Sequence, residues 1–334
     1  MAAEIAQQPD MLAALLSDTA EITTARSRIA AAAPRFVLIA ARGTSDHAAL
    51  YAKYLAEVRL GLPAGLVSPS AITVYGAAPD MTDVLFVAVS QSGRSPDLID
   101  SLAAARERGA TSLAVTNDPG SPLAEGAEIA VTARAGLERA VAATKTYTAE
   151  LLALALLFAG DSTPADAARV PEAAARTLAG ADEARLLDAA RRLAGTDRIV
   201  VTARGYSYPT AREAALKLIE CSYVSAQAFS GADLLHGPMA MIDRSVPVIA
   251  ITSPGRGGAA MAPVLERLAE RGASVLGVGA GAGAQLPLAA DGVAEHLLPI
   301  LEILPLQRLA WRLALDRGID PDRPRGLSKV TETH

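Results

Sequence analysis

Short apolar runs alternate with longer mixed segments along this chain. Residues 35–41 (RFVLIAA), 83–90 (DVLFVAVS), 112–116 (SLAVT) and 128–132 (EIAVT) are each too short for a helix and end in turn residues. Such runs predict strands buried on both faces. Helices are expected from the Gly43-Thr44-Ser45 turn to about Arg59, and from Asp97 to Arg108. Residues 140–158 predict a long, nearly all-apolar helix that other elements must cover. Residues 3–30 predict helix, with Ile5, Met11, Leu12, Leu15 and Leu16 as an apolar stripe and Pro9 as an early break. Buried strands alternating with helices predict a parallel sheet with helices on both faces, an α/β/α sandwich.

The pattern then restarts. After a stretch over 159–180 rich in Ala, Asp, Thr and Pro, residues 198–202 (RIVVT) and 246–252 (VPVIAIT) predict further strands, and 307–317 a late helix. Ala41-Arg42-Gly43-Thr44-Ser45 has a counterpart in Ala203-Arg204-Gly205-Tyr206-Ser207, an offset of 203 − 41 = 162. Glu107-Arg108-Gly109-Ala110-Thr111 has one in Glu270-Arg271-Gly272-Ala273-Ser274, an offset of 270 − 107 = 163. Two blocks recurring in order at nearly one offset indicate an internal duplication. The expected organisation is an N-terminal helical segment over 1–34, a first α/β domain over 35–160, a linker over 161–185, a second α/β domain over 186–317 and a polar tail over 318–334.

Composition narrows the function. The chain has 334 residues, 51% hydrophobic and 20% charged, as a globular protein with real cores requires. A net charge of -5 gives no general attraction to nucleic acid or to anionic membranes. No run approaches the roughly 20 apolar residues of a membrane span. The opening MAAEIAQQPDMLAALL has neither the basic leader nor the clean apolar core of a signal peptide. A cytoplasmic protein is expected. Cys221 is the one cysteine, so neither an intramolecular disulfide nor a cysteine-based zinc site is expected, and a packed thiol is the simpler reading. The four histidines are not spaced as paired ligands, so no metal centre is indicated.

Two stretches carry candidate chemistry. Residues 213–238 (EAALKLIECSYVSAQAFSGADLLHGP) place Glu213, Lys217 and Glu220 at i, i+4 and i+7 of one helix, hence on one face. Ala214, Ala215, Leu216, Leu218 and Ile219 fill its other faces, so the helix reads as mostly buried. Charges on a buried helix are costly unless paired or used. With Asp233 and His236 following, the segment holds a carboxylate, an ammonium and an imidazole, a plausible acid–base set. The plainer reading is a helical salt bridge and a histidine packed at a turn. The second stretch is Ser90-Gln91-Ser92-Gly93-Arg94-Ser95, which follows a buried strand and opens a helix. Hydroxyls at a helix N-terminus beyond a strand end suit a phosphate dianion, although a capped turn without ligand has the same composition. The matching strand of the second copy ends in Thr252-Ser253-Pro254-Gly255, where Pro254 removes an N–H. The first copy is therefore expected to hold an anion, and the second need not.

Several motifs together extend over nearly the whole length: Glu4-Ile5 with Gln8-Pro9, Gly43-Thr44-Ser45, Ser90-Gln91-Ser92-Gly93, Thr144-Lys145, Glu213 through Lys217, Glu220 with Ser222-Tyr223, His236-Gly237-Pro238, and Pro324-Arg325 through Lys329. In these the chain resembles the sugar isomerase (SIS) family, and within it the isomerase modules of glucosamine-6-phosphate synthases. The resemblance implies two tandem SIS domains. It implies that Thr44, Ser45, Ser90, Gln91, Ser92 and Ser95, with the Gly43 turn, hold a sugar phosphate. Glu220 would move a proton between C1 and C2, with Lys217 as electrostatic support. His236 would assist ring opening in the site of a neighbouring subunit, which implies a homodimer with shared sites. Lys329 would close over the sugar and engage its open-chain carbonyl, and Val141 would line the sugar site. The implied partner is a small phosphosugar, and neither a metal nor an organic cofactor is implied.

The chain departs from the synthase pattern in three places. The match begins at the isomerase module, and the protein is expected to lack the synthases' glutamine-hydrolysing domain. Ala143 stands where the synthases have a serine. Arg94 and Ser95 replace an acidic residue and a threonine, and the resulting SGRSPD form resembles stand-alone SIS deaminases that convert glucosamine 6-phosphate to fructose 6-phosphate and ammonia. The expected activity is that deamination. Related activities on galactosamine 6-phosphate or a fructosamine phosphate, an ammonia- or partner-dependent synthase, and a non-catalytic sugar-phosphate sensor stand as alternatives.

Overall fold

The computed structural model describes residues 1–160, 163–280 and 283–329. Parts of the expected linker (161–162) and tail (330–334) lie outside the described residues. The first sheet contains β1 (Phe36–Ala41), β2 (Ala64–Leu66), β3 (Val84–Ser90), β4 (Thr111–Thr116) and β5 (Ile129–Thr132). All its pairings are parallel, in the order β2-β1-β3-β4-β5. The second sheet contains β6 (Arg198–Ala203), β7 (Ser225–Ser230), β8 (Val248–Thr252), β9 (Val275–Gly279) and β10 (Leu286–Pro287). Read from its far edge it runs β7-β6-β8-β9-β10, again all parallel. The two copies therefore share one strand order, as a duplicated α/β fold requires.

The described chain divides into two compact units. The first-sheet unit holds residues within Asp10–Glu138, Lys145–Ala165 and the stretch from Leu327 onward. The second-sheet unit holds Met1–Pro9, Arg139–Thr144 and residues within Asp166–Gly326.

In the first-sheet unit the central strands are buried on both faces, with Leu85 through Val89 and Leu113 through Val115 removed from solvent. The helix Pro96–Glu107 lays Leu98, Leu102 and Ala105 against Phe86, Ala88 and Ala114. The helix Lys145–Phe158 is buried along its whole length, which accounts for its lack of a polar face. It begins at Lys145 rather than at residue 140. Residues 139–144 are irregular, and Ala140 and Ala142 pack with Ile5, Cys221 and Ala314 in the second-sheet unit. In that unit the last helix spans Leu298–Asp316, starting earlier than expected because Pro305 lies inside it, where a proline ordinarily ends a helix. The N-terminal stretch is three helices, Ala2–Ala6, Gln8–Ser17 and Ala20–Ala32.

Two glycines shape the first sheet's loops for different reasons. Gly43 has φ +56° with open space around a Cβ, so only its backbone conformation demands glycine. Gly93 has φ +62°, and a Cβ there would fall 2.1 Å from Ser121 Oγ. Gly43→Ala should cost roughly 1–3 kcal/mol in urea unfolding, the usual price of a residue forced into left-handed backbone. Gly93→Ala should cost more, and Ser121→Gly should recover part of the excess. Equal losses for the two alanine variants would contradict this assignment.

Candidate active site

The strand order reverses between β1 and β3, the position in a doubly wound sheet where ligands bind beyond the strand ends. β1 pairs with β3 to its last residue, Ala41 opposite Val89, one residue short of the β3 end at Ser90. The first sheet thereby brings together Gly43, Thr44 and Ser45 on one side and Ser90, Gln91, Ser92 and Ser95 on the other. Arg42 Nε donates to Asp97 Oδ2 at 2.7 Å and ties the two loops. Ser90 is buried, and its Oγ accepts the Gly93 N–H at 3.2 Å. Ser92 Oγ accepts the Arg94 N–H at 3.3 Å. The Gln91 carbonyl accepts the Asn117 N–H at 3.1 Å, which anchors the loop to the end of β4. Arg94 is exposed and pairs with Asp118 at 2.9 Å. Ser95 is the N-cap of Pro96–Glu107 and makes no side-chain capping bond. Thr44 opens the helix Thr44–Leu55 and is half-buried. Ser45 is buried, and its hydroxyl donates to Glu150 Oε1 at 2.8 Å.

The corresponding reversal in the second sheet, between β6 and β8, is built differently. Ser207, the counterpart of Ser45, donates to Glu302 Oε1 at 2.7 Å. Glu295 Oε1 accepts the Gly257 N–H at 2.7 Å. A Cβ on Gly255 would lie 2.3 Å from Glu295 Cδ. This loop is packed around a carboxylate of its own chain. Burial pushes the Glu302 carboxyl above its ordinary pKa, against the opposing pull of the hydroxyls of Ser253, Ser207 and Thr210.

The candidate acid–base residues Glu213, Lys217 and Glu220 stand on the helix Tyr208–Ser222 of the second-sheet unit. Lys217 is fully buried, with Nζ 3.4 Å from Glu213 Oε1 and 2.5 Å from Glu220 Oε2. Glu213 is likewise removed from solvent, whereas the Glu220 side chain keeps 20% of its exposure. The helix is less buried than its composition suggested, since Ile219 is 44% exposed. Burial alone lowers the pKa of Lys217, but the charges of Glu213 and Glu220 outweigh it and hold the ammonium above the ordinary lysine value. Burial pushes the adjacent Cys221 thiol up to about 12, so it is a packed group and not a thiolate. Val141 is half-buried and donates its N–H to the Asp322 carbonyl at 3.3 Å. Its neighbours Ala140 and Ala142 share a core cluster with Cys221, which brings this segment to the Glu220 helix.

His236 is not packed at its turn. It is exposed after the helix Gly231–Leu235, its backbone N–H donates to the Asp233 carbonyl at 3.0 Å, and among the described residues its imidazole bonds to none of Glu213, Lys217 and Glu220. Lys329 belongs to the first-sheet unit, where its Nζ meets Glu138 Oε2 at 2.8 Å.

Sequence reasoning missed Glu138, Glu150, Glu295 and Glu302. For two of them a signal was present. Glu150 interrupts TYTAELLALALLF and Glu302 interrupts LPILEILPL, and a lone carboxylate in a fully apolar helix requires a buried donor.

The SIS domain family profile matches residues 32–160 and 192–303, and the chain belongs to that family. It is 37% identical over 304 residues to the glutamine–fructose-6-phosphate aminotransferase (isomerizing) of Methanothermobacter thermautotrophicus, over 88% of this chain and 51% of that protein. The chain thus spans about half the length of the curated relatives it matches. Among solved structures it resembles a candidate phosphosugar isomerase of Silicibacter pomeroyi, with TM-score 0.85 and 30% identity, covering 96% of this chain and 98% of that one. It also resembles the C-terminal domain of the glucosamine-fructose-6-phosphate aminotransferase of Francisella tularensis, with TM-score 0.84 and 26% identity, covering 96% of each chain. Among the described residues no helix is long and apolar enough to cross a membrane.

Lys217→Met should destabilise the protein by about 3–5 kcal/mol in chemical unfolding, because it strands the buried Glu213 charge. The wild type should also lose stability in alkali. A raised folded-state pKa contributes stability that is complete below the unfolded value and fades as pH rises through the folded one. For Cys221 that window runs from 9.0 to about 12, and for Lys217 it opens above 10.5. Cys221→Ala should remove the earlier part of the alkaline loss, and an unchanged pH profile would contradict the burial effect.

Proposed function

We propose that the protein is a phosphosugar isomerase that acts on an amino-sugar 6-phosphate and deaminates glucosamine 6-phosphate to fructose 6-phosphate. The first sheet's serine loop takes the phosphate. Glu220 removes the C2 proton of the open-chain amino aldehyde, a proton is delivered to C1, and the aldehyde oxygen gains the proton that the amine gives up, which leaves a C1 hydroxyl and an imine at C2. Water hydrolyses that imine to the ketone and releases ammonia, so no oxidant or reductant enters the balance. The observation that carries this reading is the Glu220 carboxylate, partly open to solvent and held at 2.5 Å by a fully buried ammonium. A base must be both reachable and fixed, and this one is. Further support comes from the fructose 6-phosphate in the relative's name and from the SGRSPD loop. In this reading the exposed His236 serves the site of a second copy in a homodimer.

Purified protein should release ammonia from glucosamine 6-phosphate, and Glu220→Gln should slow it by about 10²–10⁴-fold, the usual worth of a positioned general base. Galactosamine 6-phosphate and fructosamine phosphates belong in the same assay. Turnover of one of these instead would reassign the sugar, and turnover of none would overturn the enzyme reading. Mixing Glu220→Gln with His236→Ala protein should restore part of the activity if sites are shared, and no recovery after subunit exchange would refute sharing.

A further inference from the structure

We propose that Glu138 is the positioning residue for Lys329, a preset carboxylate that docks the tail lysine onto the first-sheet unit. The part in turnover that the family resemblance implies for Lys329, engaging the open-chain carbonyl, rests on the function proposed above; the docking itself does not. The Glu138 side chain is fully buried, and a buried carboxylate is tolerated only with donors around it. Thr146 supplies two, its N–H to Oε1 at 3.1 Å and its hydroxyl to Oε2 at 2.9 Å. That N–H lies in the first turn of the helix Lys145–Phe158, where backbone donors have no acceptor within the helix. The positive end of the helix dipole adds to the attraction. Both donors are fixed by the helix, so the carboxylate is oriented before any tail residue arrives.

Lys329 supplies the cation. Its ammonium sits 2.8 Å from Glu138 Oε2, and only 25% of its side chain remains exposed. It reaches this place from Gly326, whose φ of +73° turns the chain. The same helix carries a second anchor. Glu150 follows Thr146 by four residues, on the same face, and takes the Ser45 hydroxyl. The lysine's dock and the anchor of Ser45 are therefore about one helical turn apart, roughly 5–6 Å along the axis. Within one unit, one helix sets both the loop proposed to hold phosphate and the lysine proposed to act on the sugar. A helix is a stiffer reference than a tail, and a side chain used in catalysis has to be held by such an element.

The test uses the full chain with Glu138→Gln, Lys329→Gln and the double variant. Glutamine at 138 keeps an acceptor for Thr146 and removes the attraction for the ammonium. Amide exchange in a peptide covering Gly326–Lys329 should quicken at least tenfold in each single variant, with no further gain in the double. On whichever amino-sugar phosphate the wild type turns over, kcat/KM should fall at least tenfold in Glu138→Gln, and the double variant should be no worse than Lys329→Gln alone. Should Glu138→Gln fail to fold, Thr146→Val replaces it, with a smaller rise in tail exchange expected. Unchanged tail exchange, or kinetic losses that simply multiply in the double variant, would overturn the proposal. A wild type that turns over no phosphosugar would instead defeat the functional reading, and the exchange comparison would still decide the docking.

Discussion

A lysine without solvent contact, bracketed by carboxylates four residues before and three after, sets the terms for the second-sheet unit. An ammonium taken out of water costs several kcal/mol, and Coulomb attraction repays it only where the geometry is close. The helix Tyr208–Ser222 supplies that geometry through its own periodicity, which sets both carboxylates within reach of the ammonium. Glu213 neutralises Lys217 on the buried side. Glu220 does so at the edge of solvent, and its position is then no longer free. Holding Glu220 in one place costs little once the lysine must be neutralised in any case. Burial keeps the adjacent Cys221 protonated against the pull of the Lys217 charge, so the one thiol of the chain is inert packing beside the pair.

Much of the fold was legible because parallel strands covered on both faces are written as continuous apolar runs. β1, β3, β4, β5 and β6 each fall within a residue or so of their runs. β7 was not legible. Its sequence SAQAFS is small and polar, and it stands at the sheet edge beside β6, where full burial is not required. The start of the helix Lys145–Phe158 was misplaced because residues 139–144 are apolar for a different reason, the packing of Ala140 and Ala142 around Cys221. Periodicity reports that a residue is buried; it does not report against what. The candidate site divides along the same line. Glu213, Lys217 and Glu220 are neighbours on one helix and could be paired from spacing alone. Glu138 with Lys329, and Ser45 with Glu150, are more than 100 residues apart, and only the folded chain joins them.

The duplication shows how one strand order yields two unlike loops. At the first reversal the β3 end is followed by side chains that bond within their own turn, Ser90 to Gly93 and Ser92 to Arg94. At the second, the equivalent backbone is spanned by Glu295, which takes the Gly257 N–H and fills the space beside Gly255. Pro254 removes one donor, as the sequence suggested, and Glu295 uses another. A negative group already sits there, so a phosphate would meet repulsion in place of donors. The asymmetry follows from a single carboxylate more than from any change in the sheet.

Both copies retain one further contact, a serine hydroxyl given to a buried glutamate: Ser45 to Glu150 and Ser207 to Glu302. It limits what Ser45 can offer. A hydroxyl has one proton, and while that proton is donated to Glu150 an arriving anion meets only oxygen lone pairs at Ser45 Oγ. A phosphate at this loop must then draw on the backbone N–H groups that open the helix Thr44–Leu55, where the dipole favours negative charge. The φ of +56° at Gly43 belongs to the turn that brings the chain from β1 into that helix start. The glycine and the buried glutamate thus act on the same few atoms, one by turning the backbone and the other by fixing the side chain.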